Sequence, residues 1–407
     1  MRNSKFFCTA VAAFALTLWA GTLSAQTSTV LTGNLNSPNK IITGAGNSLL
    51  VSEAGTAMPN TGRISLVDRT SGAKTALISG LPSAVSYLGG PAGDPDGPSG
   101  ILLRGRTLYV TIGVGDAIVP GPGQGLESPN PGTPSSPLFD SVLEITLPGG
   151  YQQLTNGFVL TAANQAVLAA GGHVTLTNSS RAQLGIDLIA NLPDSRPAPT
   201  PDFPNNVKSS HLYGVEMFQK DLYVVDSGHN NIRRVSLRDG SSSILVTFPS
   251  RPNPLPFGPP FVEAVPDSVH RVGNRLLVTL LTGFPFVPGL AEVRSVEIKS
   301  GENNGLIPNL TSAIDVLSGG GEDDATAGSN GAKTTASGDT DSYYTLEFSI
   351  NQLAQAPGRL RYYSTPSAAP VDVLTTLITP TSMARDEDGS IYITSIATGT
   401  ITKVTVQ

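Results

Sequence analysis

Residues 213–248 hold the pattern that most restricts what this chain can fold into. They read YGVEMFQKDLYVVDSGHNNIRRVSLRDGSSSILVTF. Four runs of strand length, 213–218, 221–226, 231–237 and 243–248, are divided by turn residues at 219–220, 227–230 and 238–242. Each run mixes β-branched, aromatic and aliphatic residues with polar ones, as half-buried antiparallel strands do, and no helical period competes. Four antiparallel strands in about 36 residues make one blade of a propeller.

The second strand of that unit recurs as SLLVSE (48–53), TLYVTI (107–112), DLYVVD (221–226), RLLVTL (275–280), SYYTLEF (342–348) and SIYITS (390–395). Its spacing varies from about 48 to about 114 residues, which places insertions in the loops. Third strands follow at 62–68, 141–147, 231–237, 291–298, 358–363 and 400–406, and fourth strands at 75–79, 243–248, 305–310 and 371–378. For the second unit the fourth strand is 186–192, with 151–158 as its rival. The sixth unit ends on a third strand, and the segment 29–35 near the start resembles the missing one. The expectation is an all-β, six-bladed β-propeller with about four antiparallel strands per blade, the N-terminal strand closing the last blade against 400–406. A length of 407 residues exceeds the usual single core, but a radial repeat remains one domain at that size. The 44 glycines and 32 prolines suit many short strands joined by tight turns.

Residues 1–25 read as a signal peptide: basic Arg2 and Lys5, an apolar run from Phe6 to Trp19, then small residues up to Ala25. The site after Ala25 departs from the usual small-residue pattern at Leu23. Residues 26–407 form the single domain, secreted to the exterior or the periplasm, and no later apolar run is long enough to span a membrane. The one cysteine, Cys8, lies in the signal segment, so the mature chain has no disulfide chemistry. Without Arg2 and Lys5 the chain has 23 basic and 31 acidic residues, and no basic stripe, which argues against a nucleic-acid partner.

Three stretches carry a resemblance: HLYGVEMFQKDLYVVDSGHNNIRRV, GPSGILLRGRTLYVTIG (97–113) and above all LTGFPFVPGLAEV (281–293). Together the chain resembles the ScyD/ScyE family of secreted six-bladed propellers related to NHL-repeat proteins. The resemblance implies the fold and export rather than a defined activity. Two stretches depart from it: 154–185 is added, and 319–341 (GGGEDDATAGSNGAKTTASGDTD) is low in complexity and expected to be mobile.

In a propeller the connections from second to third strand, and from fourth strand to the next first strand, emerge on one face. That face should carry Phe139, Phe284, Phe286 and His229, and Phe284, Phe286, Asp226 and His229 are ligand-binding candidates, as are Glu216, His270 and Asp315 of the inner strands. Phe284 and Phe286 can equally fold back on a neighbouring blade. On the inner strands, Glu216 lies seven residues before Tyr223 and His270 seven before Leu277, a shared slot, with Asp315 in or near it. A histidine with two carboxylates can ligate a divalent cation such as calcium, serve as an acid/base pair, or merely line the channel as ion pairs. Glu216, His270 and Asp315 are the metal candidates. His173 and His211 have no partner at a recognisable spacing. Catalytic motifs such as G-x-S-x-G and HExxH are absent. The function expected is binding of an unknown small molecule or protein; the alternative is a lactonase-, hydrolase- or lyase-like enzyme at the channel mouth.

Overall fold

A computed structural model describes residues 27–56, 58–90, 92–123, 125–319 and 342–406. Residues 1–25, expected to be a signal peptide, and all but Gly319 of the low-complexity stretch lie outside the described residues. The chain is a β-propeller. Its first sheet is Pro38–Thr43, Ser48–Glu53, Gly62–Asp68 and Lys74–Leu81. The second is Pro98–Arg104, Thr107–Ile112, Ser141–Thr146 and Gln183–Asn191. The third is Leu212–Phe218, Asp221–Asp226, Asn231–Ser236 and Ser242–Thr247. The fourth is Pro266–Val272, Arg275–Leu280, Ala291–Glu297 and Asn303–Leu310. The fifth is Ala313–Ser318, Tyr343–Glu347, Gly358–Tyr363 and Val371–Leu377. The sixth takes Pro380–Arg385, Ile391–Ser395 and Thr400–Thr405 from the end of the chain and Thr27–Thr32 from its start. The first strands of these six sheets adjoin one another in a closed cycle.

Burial explains the sequence pattern. A second strand is covered on both faces by neighbouring sheets. Leu222 and Val224 pack towards Tyr109 and Val142 of the second sheet, while Tyr223 and Val225 pack towards Val269, Leu276 and Val278 of the fourth. Alternate side chains thus enter two different cores, and the strand reads as nearly continuous apolar sequence. Outermost strands face solvent and read as polar; four of the six residues of Thr27–Thr32 are exposed.

Closure follows the expected plan. Thr27–Thr32 runs antiparallel to Thr400–Thr405, with Thr27 opposite Thr405 and Thr29 opposite Lys403. This covers the edge that the third strand would otherwise present to solvent.

Each first strand carries a register irregularity near its start, and hydroxyls complete it. Thr111 Oγ1 accepts from the Gly100 N–H at 2.8 Å and donates to the Tyr213 carbonyl of the next sheet at 2.6 Å. Ser52 and Thr279 repeat the arrangement, towards Ser99 and Ile314 respectively. In the third sheet Val225 stands at this position, and Ser227 Oγ donates to the next sheet at Pro266 instead. A buried hydrogen bond of this kind contributes about 1 kcal/mol and fixes the angle between sheets. On the outer side, the turns at Gly72 (φ 69°) and Gly240 (φ 68°) press against the carbonyls of Leu31 and Ile189 in the preceding sheets. An added Cβ would lie 2.1 and 2.2 Å from those oxygens, so glycine is required for contact as well as for φ.

The fourth strand of the second sheet is Gln183–Asn191; of its rival stretch, Tyr151–Gln153 is a 3₁₀ turn. The added stretch is ordered. Phe158–Val159 pairs in parallel with Ile78–Ser79 of the first sheet, a helix follows at Ala162–Ala169, and Val174–Thr177 adds a fifth strand to the second sheet. Thr161 and Asn164 form a reciprocal cap at the helix start, and buried Phe158, Leu160 and Leu168 fasten the stretch across the two sheets. Short pairs at 118–120 with 127–129, 195–197 with 207–209, and 251–252 with 261–262 rise from the loops of one face.

Candidate functional site

The inner-strand slot is formed as the spacing predicted: Glu216 lies opposite Tyr223, His270 opposite Leu277 and Leu102 opposite Tyr109. His270 and Asp315 meet, with Nε2 2.7 Å from Oδ1. Lys40, from the first sheet, reaches across to both. Its Nζ is 2.9 Å from Asp315 Oδ2 and 3.2 Å from His270 Nε2. Ser382 Oγ and the Met383 N–H also donate to Asp315 Oδ2, at 2.8 and 2.9 Å. Burial opposes the charge on Asp315, but Lys40, His270 and the Met383 N–H outweigh it and hold the carboxyl far below its usual range. Four sheets, the first, fourth, fifth and sixth, are thereby tied together across the channel. Glu216 is directed elsewhere: its Oε1 accepts from Arg104 at 2.6 Å and its Oε2 from the Arg271 backbone N–H at 3.2 Å. Among the described residues, no three His, Cys, Asp or Glu side chains converge as a metal-ligating set.

The loop-bearing mouth holds a second group of charges that the spacing did not reveal. His211, just before the third sheet, places Nε2 3.3 Å from Asp96 Oδ1, just before the second. Its side chain remains 39% exposed, while that of Asp96 is 7% exposed. Burial works against a charged His211 ring, but Asp96, with Asp267 and Asp226 further off, raises its pKa above the ordinary value. Asp96 is lowered: His211 and the N–H groups of Gly115 and Gly97 overcome its burial. Asp267, on the fourth inner strand, is pushed well above the carboxylate range by burial and by Asp315, with Lys40 and His211 only partly offsetting this. This setting favours its protonated form, which can donate as well as accept. The Tyr213 ring stands edge-on to His211, 5.8 Å between centroids, and burial with Asp267 and Asp96 keeps its phenol protonated.

Asp226 and His229 lie beside this mouth but are buried. His229 Nδ1 is 2.8 Å from Asp226 Oδ2, and its Nε2 is 3.0 Å from the Lys208 carbonyl. Arg233 Nε also donates to Asp226, at 2.8 Å. Burial of Asp226 is outweighed by His229 and Arg233, which hold it at about 2. Asp226 Oδ1 accepts from the His211 backbone N–H at 3.3 Å, so the pair positions the segment that carries His211.

The expected aromatics divide. Phe139 is buried against Gly115, whereas Phe284 is 47% exposed and Phe286 half-buried, edge-to-face at 6.0 Å. Phe257 joins Phe284 at 6.5 Å and Phe261 is exposed nearby in sequence. His173 pairs with Asp187 at 2.8 Å on an exposed surface of the second sheet's outer strands.

No protein-family model matches this chain. No curated protein matches it either. Among solved structures, the apo form of the soluble aldose sugar dehydrogenase of Escherichia coli aligns over 94% of this chain and 100% of its own, at 10% identity and a TM-score of 0.51. A glucose dehydrogenase aligns over 94% and 100%, at 13% identity and 0.48, and a streptogramin B lyase over 94% and 98%, at 12% and 0.42. The first of these shares the propeller fold; identities this low carry no activity across. No helix among the described residues is long and apolar enough to cross a membrane.

Proposed function

We propose that this chain is a propeller of the ScyD/ScyE kind that works outside the cytoplasm and binds a small polar molecule in the loop-side mouth of its channel. The observation that carries this reading is the partly exposed imidazole of His211, held by Asp96 near the buried carboxyl of Asp267, whose pKa is raised. Such a group of donors and acceptors suits a ligand that presents hydroxyl or amino groups. The Lys40–His270–Asp315 tie lies further along the inner strands, so the ligand enters and leaves on the loop side. Phe284 and Phe257 offer apolar surface on the same face.

The Asp96–His211 pair also favours a second reading, an enzyme of lyase or hydrolase type in which His211 moves a proton. Native mass spectrometry and thermal melting of the mature protein against polyols, amines and lactones separate the two. Binding predicts a ligand that raises Tm in the wild type, is recovered unchanged, and has no effect on His211→Ala. An enzyme converts the ligand, and His211→Ala binds it without turnover. A ligand whose effect survives His211→Ala overturns the placement of the site.

A further inference from the structure

Asp140 is the most anomalous group in the molecule. It stands at the entry to the third strand of the second sheet with φ 49°, fully buried, and apart from an approach of the Leu212 backbone N–H its carboxyl oxygens lack hydrogen-bond partners. Three other carboxyls, Asp194, Asp226 and Asp96, act on it, with Asp194 the strongest, and the Leu212 backbone N–H offsets them only slightly. Two of the three are already matched: Asp226 by His229 and Arg233, and Asp96 by His211. No hydrogen bond or ion pair reaches the Asp194 side chain among the described residues. Ser210 adds a buried hydroxyl that also lacks a partner. Main-chain bonds bring these groups together: Leu192 N–H donates to the Asp140 carbonyl at 2.9 Å, and Ser210 N–H to the Asp194 carbonyl at 2.7 Å.

An isolated buried carboxyl is costly, and leaving both oxygens unpaired costs more than an apolar replacement. Two remedies exist, a proton or a cation. A proton neutralises Asp140 and turns one of its oxygens into a donor, but it supplies nothing to the other oxygen or to the Asp194 carboxyl. A cation answers all three groups at once. We propose that Asp140, Asp194 and the Ser210 hydroxyl form a site for a hard cation, calcium before any other, at the seam between the second and third sheets. The donors are oxygens only, which suits calcium and not a transition metal. Calcium takes about 6–8 oxygens, so main-chain carbonyls and water complete its shell. The ion sits behind the segment that carries His211, one residue after Ser210, and so sets the shape of the mouth. The site uses different residues from the ligand site and stands or falls apart from it.

The test is elemental analysis of the mature protein, with melting curves after chelation and after return of calcium chloride. The expected result is one calcium per chain, a Tm lowered by several degrees on chelation and restored by calcium, and loss of both in Asp140→Asn and Asp194→Asn. A Tm indifferent to chelator and to calcium, with Asp140→Asn melting at or above the wild type, overturns the proposal and makes Asp140 a buried acid. If Asp140→Asn does not fold, chelation of the wild type and Asp194→Asn decide. A calcium response that survives Asp194→Asn places the ion elsewhere.

Discussion

The middle of the channel and its loop-side mouth are built from the same residue types, yet they are opposite in kind. In the middle, Asp315 is met by the Lys40 ammonium, the His270 ring, a hydroxyl and an N–H, and its carboxylate is stabilised. At the mouth, carboxyls outnumber their partners: burial and Asp315 raise the pKa of Asp267, Asp140 is met by little more than the Leu212 N–H, and His211 keeps access to solvent. Saturated polar groups hold a fold together. Unsaturated ones are kept at a cost, and that cost marks where something else binds.

The largest expected effect tests the saturated side. Asp315→Ala leaves Lys40 and His270 facing each other in a buried space without their counter-charge. Removing one partner of a buried ion pair costs about 3–5 kcal/mol. Urea denaturation should show that loss as a lower midpoint; an unchanged midpoint would erase the distinction between the two regions. The pH dependence has a definite sign. Asp315 has a lowered pKa, so its contribution is present above the ordinary carboxylate range and is lost as pH falls through its folded value.

Asp267 should behave in the opposite sense. Its pKa is raised, so its contribution is complete below the usual carboxylate value and is lost as pH rises towards the folded one. Asp267→Asn should then be near neutral at pH 4 and stabilising at pH 7, on the order of 1 kcal/mol. Destabilisation at pH 7 would mean that Asp267 is charged and matched, as Asp315 is. The smallest effect sharpens the mouth itself. Asp96→Asn removes the main group that raises the His211 pKa, with Asp267 and Asp226 remaining, so the imidazole should titrate lower by NMR. A titration that does not move would show that the two residues are uncoupled.

The sequence made the middle legible and the mouth obscure for a physical reason. Glu216 and His270 lie on strands, where register fixes which residues share a level, so spacing alone aligned them. It could not say that Glu216 would turn to Arg104, because a long side chain chooses among neighbours on adjacent sheets. Lys40 gave no sign; within PNKIIT it reads as an ordinary lysine, and only closure of the ring brings it to Asp315. Asp96, Asp140, Asp194 and His211 all precede strands or lie in long connections, where no period applies, and they come from segments joined only by the circular order of the sheets. One signal was available. The entries to the inner strands read DGPSG, HLYGV and PDSVH, and each carries an ionisable residue within the same short window. Phe139 was misplaced for a related reason, since a loop aromatic beside a glycine such as Gly115 can turn inward.

Thr27–Thr32 and Thr400–Thr405 are the first and last described strands of the chain, and they are neighbours. A chain that emerges from its N-terminal end therefore carries the latch throughout and receives the catch only with its final strands. In the interval both edges are open, and at high concentration the latch can meet the catch of another copy before its own. Crowding of newly made chains thus works against this fold more than dilution does, because one row of backbone hydrogen bonds closes the ring.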